Sequence, residues 1–382
     1  MKTTDFNRQF NNGDEKRKDR PYQVYSIAVI VIVWLVLSLF AWIKPSTDVS
    51  QSERRKLNQF PECSIAGIRS GSFMDKFEEA AVDQFPLREE FRCIRAVSDV
   101  YALQKKDIHG IYEADGYLAE MVYPLNESSV ERAGEKCRNL YDTYMKDGDI
   151  RVYLAVIPDK GYYLGKEHGY LTADYDRFHT IMQEELEMAE VISITDTLSI
   201  EDYYTTDSHW RQEQLEETAE EILNAMDAEA FDDLREKTAL DSFRGVYSGQ
   251  SALPVQGEML NYLTNDTLEE CQVFNVEAGQ TTGIYNVEKL EGRDPYDFFL
   301  SGSSAILMIE NPTVDTGREL VVFRDSFGSS LIPLLAKSYA KITVIDTRYV
   351  NPELIGDYVE FENQDVLFLY STILLNRSET MR

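Results

Sequence analysis

Two short segments carry residues able to do nucleophilic chemistry. Thr206-Asp207-Ser208-His209-Trp210 sets an aspartate two residues before one of only four histidines in the chain. A carboxylate so placed can hold an imidazole in one tautomer and stabilise its protonated form, as the acid and base pair of a triad does. In Val321-Val322-Phe323-Arg324-Asp325-Ser326-Phe327-Gly328-Ser329-Ser330 an apolar strand ends and a helix begins. Ser326 then falls at a strand's carboxyl end, where open α/β sheets bind ligands and backbone N–H groups can meet an oxyanion. Gly328 lets the chain turn tightly there. Taken singly, each segment also fits a helix cap, with Trp210 as a core anchor. Together they offer a nucleophile (Ser326), its base (His209) and an orienting acid (Asp207).

The elements that must position these residues follow from pattern. Short apolar runs at Val152–Ile157, Val191–Ile194, Ala305–Ile309, Glu319–Phe323, Ile342–Ile345 and Val366–Tyr370 read as buried parallel strands. Leu215, Ala219, Ile222, Leu223 and Met226 mark an amphipathic helix, and Leu331, Leu334 and Leu335 another. The expected fold is a three-layer α/β/α sandwich on a parallel sheet. Upstream, helices are expected from Phe73 to Pro86 and from Glu89 to Lys105, then a strand, turn and strand over 111–118. Residues 241–299 have mixed turns and poor periodicity, which reads as an insertion beside the site.

The N-terminus differs from the rest. Val24 to Ile43 runs without a charge, long enough at about 1.5 Å per residue to cross a bilayer core of roughly 30 Å. Lys2, Arg8, Lys16, Arg17, Lys18 and Arg20 precede it and place residues 1–23 on the cytoplasmic side. A cleaved signal peptide is the rival, but Trp42-Ile43-Lys44-Pro45 lacks the small residues of a cleavage site. Residues 44–59 read as a polar linker and 60–382 as the catalytic domain. Residues 44–382 carry 32 bases and 63 acids, a net charge of −31 that disfavours nucleic acid and anionic lipid as partners. Cys63, Cys93, Cys137 and Cys271 form no CxxC pair, and His109, His168 and His179 add no ligand spacing to Asp207 and His209. No metal and no cofactor is expected. One or two disulfides or buried free thiols both fit an external domain.

Asp207-Ser208-His209-Trp210, Asp83-Gln84-Phe85-Pro86-Leu87-Arg88, Asp115-Gly116-Tyr117-Leu118, Ile157-Pro158-Asp159-Lys160 and Arg324-Asp325-Ser326-Phe327-Gly328 resemble the DHHW family of Gram-positive bacteria. The resemblance runs from about residue 53 to the end. That family is similar in turn to the alginate O-acetyltransferase proteins of the SGNH-hydrolase superfamily, in which the Asp-x-His motif also precedes the serine. It implies an acetyl group carried on Ser326, a cell-surface polysaccharide as acceptor and a membrane-bound O-acyltransferase as donor. The chain departs from the family at Ser208, where the second motif letter is His; the expectation is that this side chain points away from the triad. Tyr247 and Gly249, in the block Phe243–Gly249, are oxyanion candidates or parts of a structural turn. Arg324 and Lys160, near strand carboxyl ends, are sugar or carboxylate binders or surface charges. Trp210 and the Tyr162-Tyr163 pair offer stacking faces to a glycan or fill the core. An esterase would use the same residues with water as acceptor, and a non-catalytic glycan-binding or scaffold subunit would keep the fold with an idle site.

Overall fold

Runs of β-branched and apolar residues, punctuated by helices, build one eight-stranded sheet. The computed structural model describes residues 6–382, with the side chains of residues 6–21 and Trp42 outside the described set. The basic side chains of the tail therefore lie outside the described residues. The strands are β1 (Arg151–Ile157), β2 (Glu190–Val191), β3 (Gln272–Asn275), β4 (Gln280–Gly283), β5 (Ile306–Glu310), β6 (Glu319–Arg324), β7 (Lys341–Ile345) and β8 (Asp365–Ser371). Their order is β4-β3-β5-β7-β6-β8-β1-β2.

From β7 to β2 neighbours are parallel, with Val322 opposite Val344 on one side and Leu367 on the other. Alternation along β1 divides the core in two. Tyr153, Ala155 and Ile157 face Ala219, Ile222, Leu223 and Leu331–Leu335, whereas Val152, Leu154 and Val156 face Val130, Ala133, Phe178 and Ile181. Helices Glu127–Tyr144 and Tyr175–Glu185 cover the second face and Glu216–Ala225 the first. The three-layer α/β/α sandwich expected from the sequence is the fold of the chain.

Three expectations need correction. The run at 305–309 forms β5, but it is antiparallel to both β7 and β3. The link from β5 to β6, residues 311–318, is too short for the crossover of about a dozen residues that a parallel return needs. The run at 191–194 yields only Val191, the second of the two exposed residues of β2, while Ile192 and Ile194 join the core from a loop. Segment 241–299 is more ordered than its composition implies. Phe243 closes a bulged hairpin, Arg235–Phe243 with Glu258–Thr264, and residues 272–283 extend the main sheet as β3 and β4.

The chain divides into two compact units, residues 1–51 with 55–94, and residues 52–54 with 95–382. The smaller holds the helix Phe6–Ile43, whose stretch Tyr22–Ala41 is long and apolar enough to cross a membrane. Within the segment 44–59 a two-residue β-ladder pairs Val49–Ser50 with Arg55–Lys56. Helices Ile65–Ser70, Ser72–Asp83 and Arg88–Val97 follow. Arg55 and Asn58 bind Asp83, and the Arg55 hydrogen bond holds its carboxyl at about 2 despite burial.

Candidate active site

Ser326 lies two residues past the end of β6, on a turn whose shape is set by Asp325. The buried Asp325 carboxylate accepts from the Phe327 amide, the Ser371 amide and the Ser371 hydroxyl, tying the turn to the carboxyl end of β8. Gly328 does not adopt the left-handed conformation; it is needed because an added Cβ would stand 2.9 Å from Arg324 Cβ. The α-helix that follows is one turn, Gly328–Leu331, continued as a 3-10 segment through Pro333. Ser326 is part-exposed, unlike its buried neighbours Asp325 and Phe327.

The second loop is held from several directions. Tyr203 bridges Trp210, and the Tyr204 amide donates to the His209 carbonyl, folding residues 204–209 into a closed turn. Glu258, from the hairpin, accepts from the amides and hydroxyls of both Thr205 and Thr206 at 2.7–3.0 Å. The Gly245 amide donates to Thr206 Oγ1 at 2.8 Å. Gly245 sits so close that a Cβ there would lie 2.2 Å from Asp207 Cβ.

These two loops bring Ser326, His209 and Asp207 into one hydrogen-bonded chain. His209 Nε2 is 2.8 Å from Ser326 Oγ, and His209 Nδ1 is 2.6 Å from Asp207 Oδ1. A carboxylate only accepts, so Nδ1–H donates to Asp207 and Nε2 is left to accept from the serine. Asp207 is fully buried, which alone would raise its pKa; His209, Arg54 and the Val246 amide outweigh burial and hold it well below the usual carboxylate range. Tyr296 stacks on the imidazole with ring centroids 4.0 Å apart and planes 10° apart, and Phe327 leans on it at 4.8 Å. Such a geometry can take a proton from Ser326, hold it on His209 and return it to a leaving group.

The other expected residues have different surroundings. Trp210 is buried, with Nε1 donating to the Phe327 carbonyl and Ser330 Oγ, so it pins the two loops together and presents no face for stacking. Arg324 is buried as well, and its guanidinium donates to the Gly302 and Asp325 carbonyls and Ser329 Oγ. Lys160 donates to the Tyr204 carbonyl beside the Tyr117 and Tyr247 rings; burial pushes it down to about 7 against the pull of Asp207 and Glu258. Neither cation is a surface charge: both are buried, and each donates to main-chain carbonyls. Tyr247 is buried with its hydroxyl 3.4 Å from Glu120, and Gly249 packs on the Ser52 carbonyl. The Ser326 amide donates no hydrogen bond among the described residues and is open to an oxyanion. Ser208 does not point away as expected: its hydroxyl lies 3.4 Å from both Asp207 Oδ1 and His209 Nδ1. Among the described residues no cluster of His, Cys, Asp and Glu could hold a metal ion.

Sequence reasoning missed Arg54, Glu258, Asp294 and Tyr296. Arg54 fell in the expected linker, and the others in the segment read as an irregular insertion.

No family model and no curated protein sequence matches this chain. Solved structures do. A DHHW family protein from Eubacterium siraeum is similar with a TM-score of 0.59 at 19% identity, over 71% of this chain and 93% of that one. Bacillus cereus PatB1 is similar with a TM-score of 0.55 at 19% identity, over 69% and 96%. PatB1 with a sulfonyl adduct is similar with a TM-score of 0.54, again at 19% identity, over 69% and 94%. The α/β sandwich built here around Ser326, His209 and Asp207 is thus the fold of a DHHW family protein and of PatB1.

Proposed function

We propose that this protein is a membrane-anchored, serine-dependent O-acetyltransferase of a cell-surface polysaccharide. The observation that carries the reading is the unbroken chain from part-exposed Ser326 through His209 to buried Asp207, at 2.8 and 2.6 Å. Ser326 Oγ attacks the acyl carbonyl carbon while His209 Nε2 takes its proton. The tetrahedral intermediate's oxyanion is met by the Ser326 amide. Collapse breaks the bond to the leaving group, which takes the proton from His209 and departs, leaving acetyl-Ser326. A polysaccharide hydroxyl then gives its proton to His209, attacks the acetyl carbon and leaves as the ester, and Ser326 regains its proton.

The resemblance in the motifs supplies the acetyl cargo and a membrane-bound O-acyltransferase as the donor. That a sulfonyl adduct has been formed on PatB1, a protein of the same fold, accords with covalent chemistry. The helix through Tyr22–Ala41 would hold the acidic domain at the outer face of the membrane, with the basic tail inside. The test is acetyl content of the surface polymer in a strain carrying Ser326→Ala. Loss of polymer acetate fits the proposal, a rise would assign the esterase direction, and parent-level acetate would dismiss both.

A further inference from the structure

Beside the buried end of the triad lies a cation that belongs to neither loop. Arg54 Nη2 is 3.5 Å from Asp207 Oδ2 and 3.2 Å from the Arg244 carbonyl, and Nη1 is 2.5 Å from Asp294 Oδ2. Its side chain is 11% exposed, against none for Asp207 and 29% for Asp294. Two features show that the tip of the 49–56 ladder is built to deliver it. Arg54 has φ of +53°, a left-handed backbone that a long side chain adopts only when its surroundings compel it. Gly249 leaves room for the tip, since a Cβ there would stand 1.7 Å from the Ser52 carbonyl oxygen.

We infer that Arg54 is a positioning residue of the triad, a guanidinium fork that spans Asp207 and Asp294 and fixes the carboxylate on which His209 turns. This rests on the acyl-serine reading above. Asp207 must present Oδ1 to His209 while Oδ2 is occupied, and the Val246 amide and Arg54 divide that task. Without Arg54 the buried Asp207 carboxylate and the part-exposed Asp294 carboxylate are left as neighbouring like charges, which are poorly tolerated. Asp294 already holds its proton more tightly than usual through burial and the nearness of Asp207, and Arg54 opposes that. The segment that reads as a plain linker therefore completes the site.

The experiment uses the full chain in detergent and follows fluorophosphonate labelling of Ser326 together with hydrolysis of 4-nitrophenyl acetate across pH. For Arg54→Gln, labelling and kcat should both fall about tenfold or more with KM unchanged. The acid limb of kcat/KM should move to higher pH, since a cation is lost from beside the Asp207–His209 pair while Asp294, Asp297 and Lys160 remain. Arg54→Lys, which keeps the charge without the fork, should recover part of the rate, and Asp294→Asn added to Arg54→Gln should do the same by removing the repulsion. Parent rates and an unmoved pH profile in Arg54→Gln would overturn the inference while leaving the triad intact. If Arg54→Gln does not fold, Arg54→Lys decides, a loss of about threefold or more supporting the inference and a parent rate overturning it. Failure of the parent to label, or full hydrolysis by Ser326→Ala, would instead remove the acyl-serine reading and this inference with it.

Discussion

Replacing Gly245 by alanine should disable the site through one methyl group. Gly245 has φ of −78° and ψ of 174°, which alanine adopts freely, so backbone strain plays no part. The new Cβ would lie 2.2 Å from Asp207 Cβ, 2.3 Å from its Cα and 2.4 Å from its amide nitrogen. Ordinary contact begins near 3.4 Å, so the Asp207 backbone must retreat by more than about 1 Å. Asp207 is tied to His209 at 2.6 Å and to the Val246 amide at 2.7 Å, and neither bond survives such a shift unchanged. Overpacking of this kind costs about 1–3 kcal/mol, and misplacement by an ångström costs roughly a hundredfold in rate. The assay is 4-nitrophenyl acetate hydrolysis with urea denaturation alongside. Gly283→Ala, whose new Cβ would meet nothing nearer than 3.9 Å, is the control. The expected result is kcat down about a hundredfold with KM little changed, in a protein that remains folded. A Gly245→Ala protein with the parent's kcat would refute the claim that Asp207 must stay where Gly245 lets it stand.

Asp297 provides a pH test. Burial, then the nearby Asp294, raises its pKa from 3.8 to about 6, so the folded state holds this proton more tightly than the unfolded chain does. The sign follows: this carboxyl costs stability progressively as pH rises from about 4 to 6, and the full cost is present above that. Asp297→Asn should therefore melt above the parent at pH 8, with the gap closing near pH 4; an equal gap at both would contradict this. The cysteines should separate by reactivity, because burial pushes the Cys137 and Cys271 thiols up to about 12 while Cys63 is exposed. Iodoacetamide should modify Cys63 in the native protein and leave Cys137 and Cys271 unmodified until it unfolds, as peptide mass mapping would reveal.

Much of this architecture was legible because its signals are local. A run such as Val321–Phe323 or Val366–Tyr370 announces a strand buried on both faces, and Ser326 at the end of one is conspicuous. Asp207 and His209 are two residues apart, so their pairing needs no knowledge of the fold. What escaped notice depends on distant meetings. Arg54 is 153 residues from Asp207, and Glu258 is more than fifty from the threonines it clamps. No periodicity encodes such contacts. Strands β3 and β4 escaped because each is only four residues long, and β4, at the edge of the sheet, is polar, with Gln280-Thr281-Thr282-Gly283 carrying no apolar run. Lys160 and Arg324 were misjudged for a related reason: cations are rarely buried, and only the fold reveals the carbonyls they satisfy.

Acyl-enzyme formation tests the central claim most directly. The full-length protein and its Ser326→Ala variant would each be mixed briefly with an activated acetyl ester, quenched in acid and weighed intact, then digested to locate the label. The account predicts one acetyl group on the parent, on the peptide containing Ser326, and none on that peptide of the variant. An acetyl group found elsewhere, or unaltered labelling of Ser326→Ala, would contradict it.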